Sequence, residues 1–210
     1  MALPAPAPSH TPLAHPVTVV GSQFMAPYPV ELVIAEKMLT LKEGTFTVTD
    51  TQENIIFKVK GSIFSLHDRR TLLDPTDKPI LSFRQKIMTM HRRWQIYRGE
   101  SSDAKDLLFT VKKSSVIQFN TDLDVFLSGN TNEEVPDFKI KGSWFQRSCT
   151  IFLGDGTTAI AQMHAKNSAS SVFLGKDAFR VTVFPNVDYA LVVAFVVVLH
   201  EVNADRVGDD

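Results

Sequence analysis

From Tyr189 to Leu199 the chain runs eleven residues with no polar group beyond the Tyr189 hydroxyl. A segment that is apolar on every side must be surrounded on every side. Read as a helix, it would be about 16 Å long at ~1.5 Å per residue, roughly half of a ~30 Å hydrocarbon core. It is too short to cross a bilayer and must lie within the protein. Asn186 or Asp188 can cap its N-terminus just after Pro185, and His200 stands at the other end, where a positive charge suits the helix dipole. Its five valines would equally suit a buried strand, so propensity leaves both forms open. Either way, the rest of the chain has to supply a wall around it.

From Val30 to Phe184 the pattern is one of short alternating or apolar runs divided by turn residues, as in a many-stranded antiparallel fold. Thr45-Phe46-Thr47-Val48-Thr49 alternates cleanly. Further runs are Ile55 to Val59, Ile63 to Leu66, Ile80 to Phe83, Trp94 to Tyr97, Leu107 to Val111, Val125 to Leu127, Phe138 to Ile140, Trp144 to Phe152, Thr158 to Met163 and Phe179 to Phe184. Turn chemistry separates them at Asp50 to Asn54, Asp74 to Asp77, Gly129-Asn130 and Gly154-Asp155-Gly156. No convincing helical period longer than two turns precedes residue 186.

The runs contain a repeat. Phe57-Lys58-Val59-Lys60-Gly61-Ser62-Ile63-Phe64 returns 81 residues later as Phe138-Lys139-Ile140-Lys141-Gly142-Ser143-Trp144-Phe145. Ile80 to Lys86 resembles Ile160 to Lys166, and Trp94 to Arg98 is echoed by Phe179 to Val183. Two copies at this spacing do not make a solenoid; they fit two similar half-barrels around one core. The repeated glycine is expected at a hairpin turn, and the two lysines of each copy on one strand face, a solvated face or a ligand site.

Length and composition indicate one domain over residues 27–203, preceded by a disordered Pro/Ala-rich tail over 1–26 and followed by a flexible tail over 204–210. Five of the first 16 residues are proline, and no Lys or Arg occurs before Lys37, so the charged start of a secretory signal is not found. The single cysteine, Cys149, excludes an intramolecular disulfide and reads as a small buried hydrophobe in a reducing compartment. A net charge of -1 argues against nucleic-acid binding by overall charge, but residues 58–113 hold 13 Lys and Arg against 6 Asp and Glu. Such asymmetry can mark a surface for phosphate or anionic lipid, or vanish when the chain folds.

Within that stretch Arg84, Lys86, Arg92, Arg93 and Arg98, with Trp94 and Tyr97 among them, form the candidate ligand-binding set. Guanidinium forks suit phosphate oxygens, and an aromatic neighbour suits a membrane interface. Lys112-Lys113 and Arg69-Arg70 rank lower, because adjacent residues point to opposite strand faces or lie in turns. No catalytic residue is assigned, since no serine has a nucleophile elbow around it and His67, His91 and His164 are scattered singly. No metal site is assigned for the same reason, and Gly154-Asp155-Gly156 lacks the lysine of a phosphate loop.

Together these features resemble the plant LURP-one-related family and, more distantly, the tubby C-terminal and phospholipid scramblase domains. The resemblance spans about Val30 to Val202. It rests on the two Phe-Lys-x-Lys-Gly-Ser stretches, the segment from Asp68-Arg69-Arg70 to Arg93-Trp94, and the terminal apolar run. It implies a mainly β fold, a closed antiparallel barrel of about twelve strands around a buried hydrophobic C-terminal helix. It also implies binding and signalling without catalysis. Tubby-like domains bind phosphoinositides through basic side chains on the barrel wall and tether proteins to the plasma membrane, and the plant family is associated with pathogen defence. Scramblase-like members are linked to lipid movement. This chain has no cysteine-rich palmitoylation cluster and no Asp-rich loop before its terminal helix, where it reads Gly175-Lys176-Asp177-Ala178-Phe179-Arg180, so scrambling is not expected. The expectation is a cytoplasmic protein, peripheral at the plasma membrane through a phosphoinositide or another anionic lipid, with nuclear entry left open. It needs no cofactor, binds no nucleic acid directly and has no transmembrane span. The alternative is a protein–protein interaction scaffold with no lipid ligand, working through a loop or an exposed barrel edge.

Overall fold

The structure is a computed structural model that describes residues 13–37, 45–61, 69–86, 93–114, 122–143, 148–165 and 179–207. Its strands are β1 (Val30–Lys37), β2 (Thr45–Thr49), β3 (Ile55–Gly61), β4 (Arg69–Leu73), β5 (Pro79–Lys86), β6 (Arg93–Arg98), β7 (Leu107–Lys113), β8 (Leu123–Leu127), β9 (Phe138–Ser143), β10 (Ser148–Leu153), β11 (Ala159–Ala165) and β12 (Phe179–Val183). One helix follows, α1 (Tyr189–Val207). Each strand pairs antiparallel with its neighbours in sequence, and β1 returns to β12 with Val30 opposite Val183 and Ile34 opposite Phe179. The result is the closed twelve-stranded barrel that the resemblance implies. Closure removes every free edge from the described sheet, so a scaffold reading that relies on an exposed barrel edge does not hold.

Alternation decides what faces the lumen. Phe57 and Val59 of β3, Leu81 and Phe83 of β5, and Phe109 and Val111 of β7 are buried and belong to one core cluster with α1. From Ala190 to Leu199 every residue of the helix is buried, and Phe195 packs between Phe109 and Phe138 with ring centroids 5.3 and 5.5 Å away. A helix about 10–12 Å across with its side chains is thus the filling of the barrel. The repeat maps onto the architecture: β3 and β9, β5 and β11, and β6 and β12 are equivalent, so β1–β6 and β7–β12 form two halves.

Several expectations are revised. Strands β1 and β4 are not among the alternating runs: Val33 and Ala35 are buried beside Leu32 and Ile34, and β4 begins Arg69-Arg70-Thr71, so neither shows a clean period of two. The run Ile63 to Leu66 lies outside the described residues, and so do residues 144–147 of the run that begins at Trp144. The repeated glycines lie on strands, not in turns. A Cβ on Gly61 would overlap the Arg70 guanidinium, and one on Gly142 would overlap the carbonyl oxygen of Ser148.

Helix α1 is 19 residues, roughly 28 Å, and continues past both His200 and the expected boundary at residue 203. His200 therefore sits inside the helix, its ring edge-on to Phe46 with centroids 4.5 Å apart. Among the described residues no helix is long and apolar enough to cross a membrane. The expected disorder over 1–26 does not hold for residues 13–26. Residues 13–26 wrap the barrel end at the start of α1, where Val17 bridges Val187, Val20 is buried, and Phe24 packs on Phe57 and Tyr189 at 5.7 Å each. Their apolar side chains have a surface to cover, which composition alone does not reveal.

Candidate functional site

The outer face of β4 to β7 gathers cations through strand register. Arg84 of β5 lies between Arg69 of β4 and Gln95 of β6. Lys86 lies opposite Arg93 of β6, and Arg93 opposite Lys112 of β7. Like charges in direct opposition repel, and one acid offsets part of this. Glu133, from the β8–β9 connection, receives Arg93 Nη1 at 3.0 and 3.1 Å and Lys112 Nζ at 3.0 Å. Burial pushes the Glu133 carboxyl up, but Lys112 and Arg93 outweigh it and hold it below the ordinary value. Lys112 also stands over the Phe126 ring, 4.3 Å from its centroid.

The rest of the face is less satisfied. Arg69 donates to the Glu100 carbonyl oxygen at 3.1 Å and has no acidic partner among the described residues. Arg84 and Lys86 have no acidic partner among the described residues. The Nε atoms of Arg84 and Arg93, like that of Arg180 on β12, are buried with no hydrogen-bond partner among the described residues.

Of the five expected residues, the structure brings Arg84, Lys86 and Arg93 to this face. Arg92 lies outside the described residues. Arg98 belongs elsewhere. It is five residues further along β6, roughly 17 Å at ~3.3 Å per residue, and its Nη1 donates to the Val20 carbonyl oxygen at 2.8 Å. It works with Asp188, the residue before α1. Asp188 Oδ2 receives the backbone N–H groups of Val19, Val20 and Gly21 at 3.2, 2.7 and 3.0 Å, while Oδ1 receives those of Ala190 and Leu191 at 3.1 Å each. One carboxylate thus caps the helix and grips the N-terminal segment, whose carbonyls Arg98 holds from the other side. Burial raises the Asp188 pKa against the pull of these backbone donors.

The aromatic neighbours are not at an interface. Trp94 is 1% exposed and faces the lumen. Tyr97 is buried, with its hydroxyl donating to Gln95 Oε1 at 3.1 Å. Arg69 and Lys112, which the sequence ranks below the expected set, join the face once the strands are laid out in meander order; Glu133 is missed, since it has no local signal. Arg70, the partner of Arg69 in sequence, turns inward to Glu201. Cys149 is buried in the wall, and burial with the nearby Asp122 charge pushes its thiol up to about 12, far from a reactive thiolate. His164 lies opposite Arg180 across β11 and β12, while His67 and His91 lie outside the described residues.

A family model described as LURP-one-related matches residues 30–200, the whole barrel and most of α1. Protein LURP-one-related 15 of Arabidopsis thaliana is 49% identical over 200 residues, covering 95% of this chain and 92% of that protein. Protein LURP1 of the same plant is 44% identical over 190 residues, covering 90% and 92%. An X-ray structure of a protein from Arabidopsis thaliana superposes with a TM-score of 0.71 at 42% identity, covering 89% of this chain and 98% of that one.

Proposed function

Because the chain belongs to the LURP-one-related family, we propose that it is a non-enzymatic binding domain of plant defence-related signalling. It meets a phosphoinositide or another anionic membrane surface from the cytoplasmic side, through Arg84 and Lys86 with Arg69 beside them. The observation that carries this reading is the pair Arg84 and Lys86, neighbours on one outer face with no acidic partner among the described residues. The filled lumen supports surface binding over carriage of a small molecule inside the barrel. Each Lys or Arg near an anionic leaflet contributes about 1 kcal/mol, so these three give a weak, reversible and salt-sensitive association.

Sedimentation with phosphoinositide-containing vesicles at low salt, against neutral vesicles, tests the reading. Wild-type protein is expected to pellet with the anionic vesicles, and the Arg84→Ala/Lys86→Ala double variant to bind roughly 30-fold more weakly, from about 2 kcal/mol lost. No binding at low salt, or equal binding by the double variant, overturns it and leaves the protein-interaction scaffold as the better reading.

A further inference from the structure

The two halves of the barrel can be compared position by position, and they part at one charged site. In the β4–β5 turn Asp77 N donates to the Asp74 carbonyl oxygen at 3.1 Å, with Asp77 at φ 66°. In the β10–β11 turn Gly156 N donates to the Leu153 carbonyl oxygen at 2.9 Å, with Gly156 at φ 69°. The flanking registers agree, Lys58 opposite Leu73 and Lys139 opposite Phe152. Asp77 and Gly156 therefore hold the same left-handed fourth position of their turns, although the second turn, closed by Leu153 N donating to the Thr158 carbonyl oxygen, is one residue longer than the first, closed by Asp74 N and the Lys78 carbonyl oxygen.

What they present differs. The Asp77 carboxylate bridges the repeat's lysines, taking Lys58 Nζ on one oxygen at 3.1 Å and Lys60 Nζ on the other at 2.9 Å. The second half keeps both lysines and lacks the acid. A Cβ at Gly156 would lie 3.3 Å from Lys141 Nζ and 3.8 Å from Lys139 Nζ, so the two ammonium groups converge on the same spot. Asp155, the preceding residue, is turned to other work: its oxygens receive Thr157 N, Thr158 N and the Thr158 hydroxyl, which hold its pKa at about 2. Asp124 is opposite Lys139 in register, yet neither lysine has an ion pair among the described residues.

We propose that Lys139, Lys141 and the Gly156 turn form a binding site for a phosphate monoester, which takes the place that the Asp77 carboxylate holds in the first half. The class follows from charge and shape. Two ammonium groups meet a group of about -1.5 to -2 charge at pH 7 more fully than a carboxylate, and a phosphate offers a separate oxygen to each. Phe152, whose ring centroid is 5.6 Å from Lys141 Nζ, gives the organic part of the ester an apolar surface beside the charges. Glycine at the turn leaves the approach open. The site lies on β9–β11 and does not depend on the cationic face of β4–β7.

The test follows the Lys side-chain NMR signals while inorganic phosphate is titrated into the full chain. Lys139 and Lys141 are expected to shift saturably, Lys58 and Lys60 to stay still. Gly156→Asp supplies the missing carboxylate in a backbone conformation that Asp77 itself adopts, and should weaken the response at least tenfold. Asp77→Gly should make Lys58 and Lys60 respond. Lys141→Gln is a second loss variant that leaves the turn untouched. A parallel arm uses phosphatidic acid vesicles on the Arg84→Ala/Lys86→Ala background. Binding there that Gly156→Asp removes assigns the phosphate to a lipid headgroup, whereas a response to inorganic phosphate alone assigns a soluble ester. No response in either arm, an equal response from both lysine pairs, or a Gly156→Asp protein that behaves as wild type overturns the proposal. None of these results bears on Arg84 and Lys86, so this site and the β4–β7 face stand or fall separately.

Discussion

Gly61 has no side chain where Arg70 needs the room. The guanidinium passes over it into the barrel and forks onto Glu201 of α1, Nε to Oε1 at 3.0 Å and Nη2 to Oε2 at 3.2 Å. Burial pushes the Glu201 carboxyl up, but the His200 ring and Arg70 outweigh it and keep it below the ordinary value. With only 6% of its side chain exposed, Glu201 depends on this partner. Arg70→Met should therefore cost about 3–5 kcal/mol in denaturant unfolding, and Arg70→Met/Glu201→Leu should recover most of the loss, because removing both charges leaves neither stranded. The pH dependence has a definite sign. A carboxylate whose folded pKa is depressed contributes stability above its unfolded value of ~4.3 and loses it as pH falls through the lower folded value. Between pH 5 and 3 the wild type should thus lose thermal stability more steeply than the double variant. The glycine was legible and its purpose was not. Glycine between alternating runs signals a turn, and nothing local shows that a guanidinium from the next strand, paired with an acid 131 positions away, will occupy its space.

Helix α1 is where an element decides the fold. Its apolar stretch was readable because eleven residues without a charge admit few environments, and the repeat supplied a wall of the right kind. The last turns were not readable, because polarity returns at His200. Glu201 and Asn203 are nevertheless buried, Glu201 against Arg70 and Asn203 donating to the Leu199 carbonyl oxygen at 2.6 Å. The ordered N-terminal segment escaped for a related reason. Prolines mark it as extended, and its docking depends on Asp188 and Arg98, two residues distant in sequence. Val193 is fully buried, so Val193→Asp sets a carboxylate among the wall's apolar side chains. The expected cost, about 5 kcal/mol or more, is comparable with the whole stability of a domain. Circular dichroism and tryptophan fluorescence should report an unfolded protein; a folded Val193→Asp domain would contradict the role of α1 as the core.

At the scale of the whole molecule, folding divides the basic stretch that stood out in the sequence. Lys58 and Lys60 go to Asp77, Arg70 to Glu201, Arg93 and Lys112 to Glu133, and Arg98 to the N-terminal segment. Arg84 and Lys86 remain unpaired among the described residues, with Arg69 held only by a neutral carbonyl. Sequence alternation could say which cations share a strand face. It could not say which would meet an acid, since those acids arrive from a distant loop, a turn and the terminal helix. The central claim is that binding and folding use different cations from this one stretch. Vesicle affinity and melting temperature measured together on Arg84→Ala, Lys86→Ala and Arg98→Ala test it most directly. Arg84→Ala and Lys86→Ala should each lose several-fold in affinity for phosphoinositide vesicles with little change in melting temperature, and Arg98→Ala should melt several degrees lower while binding as wild type once folded. Wild-type affinity in the first two, or an affinity loss in Arg98→Ala with its melting temperature intact, would contradict the account.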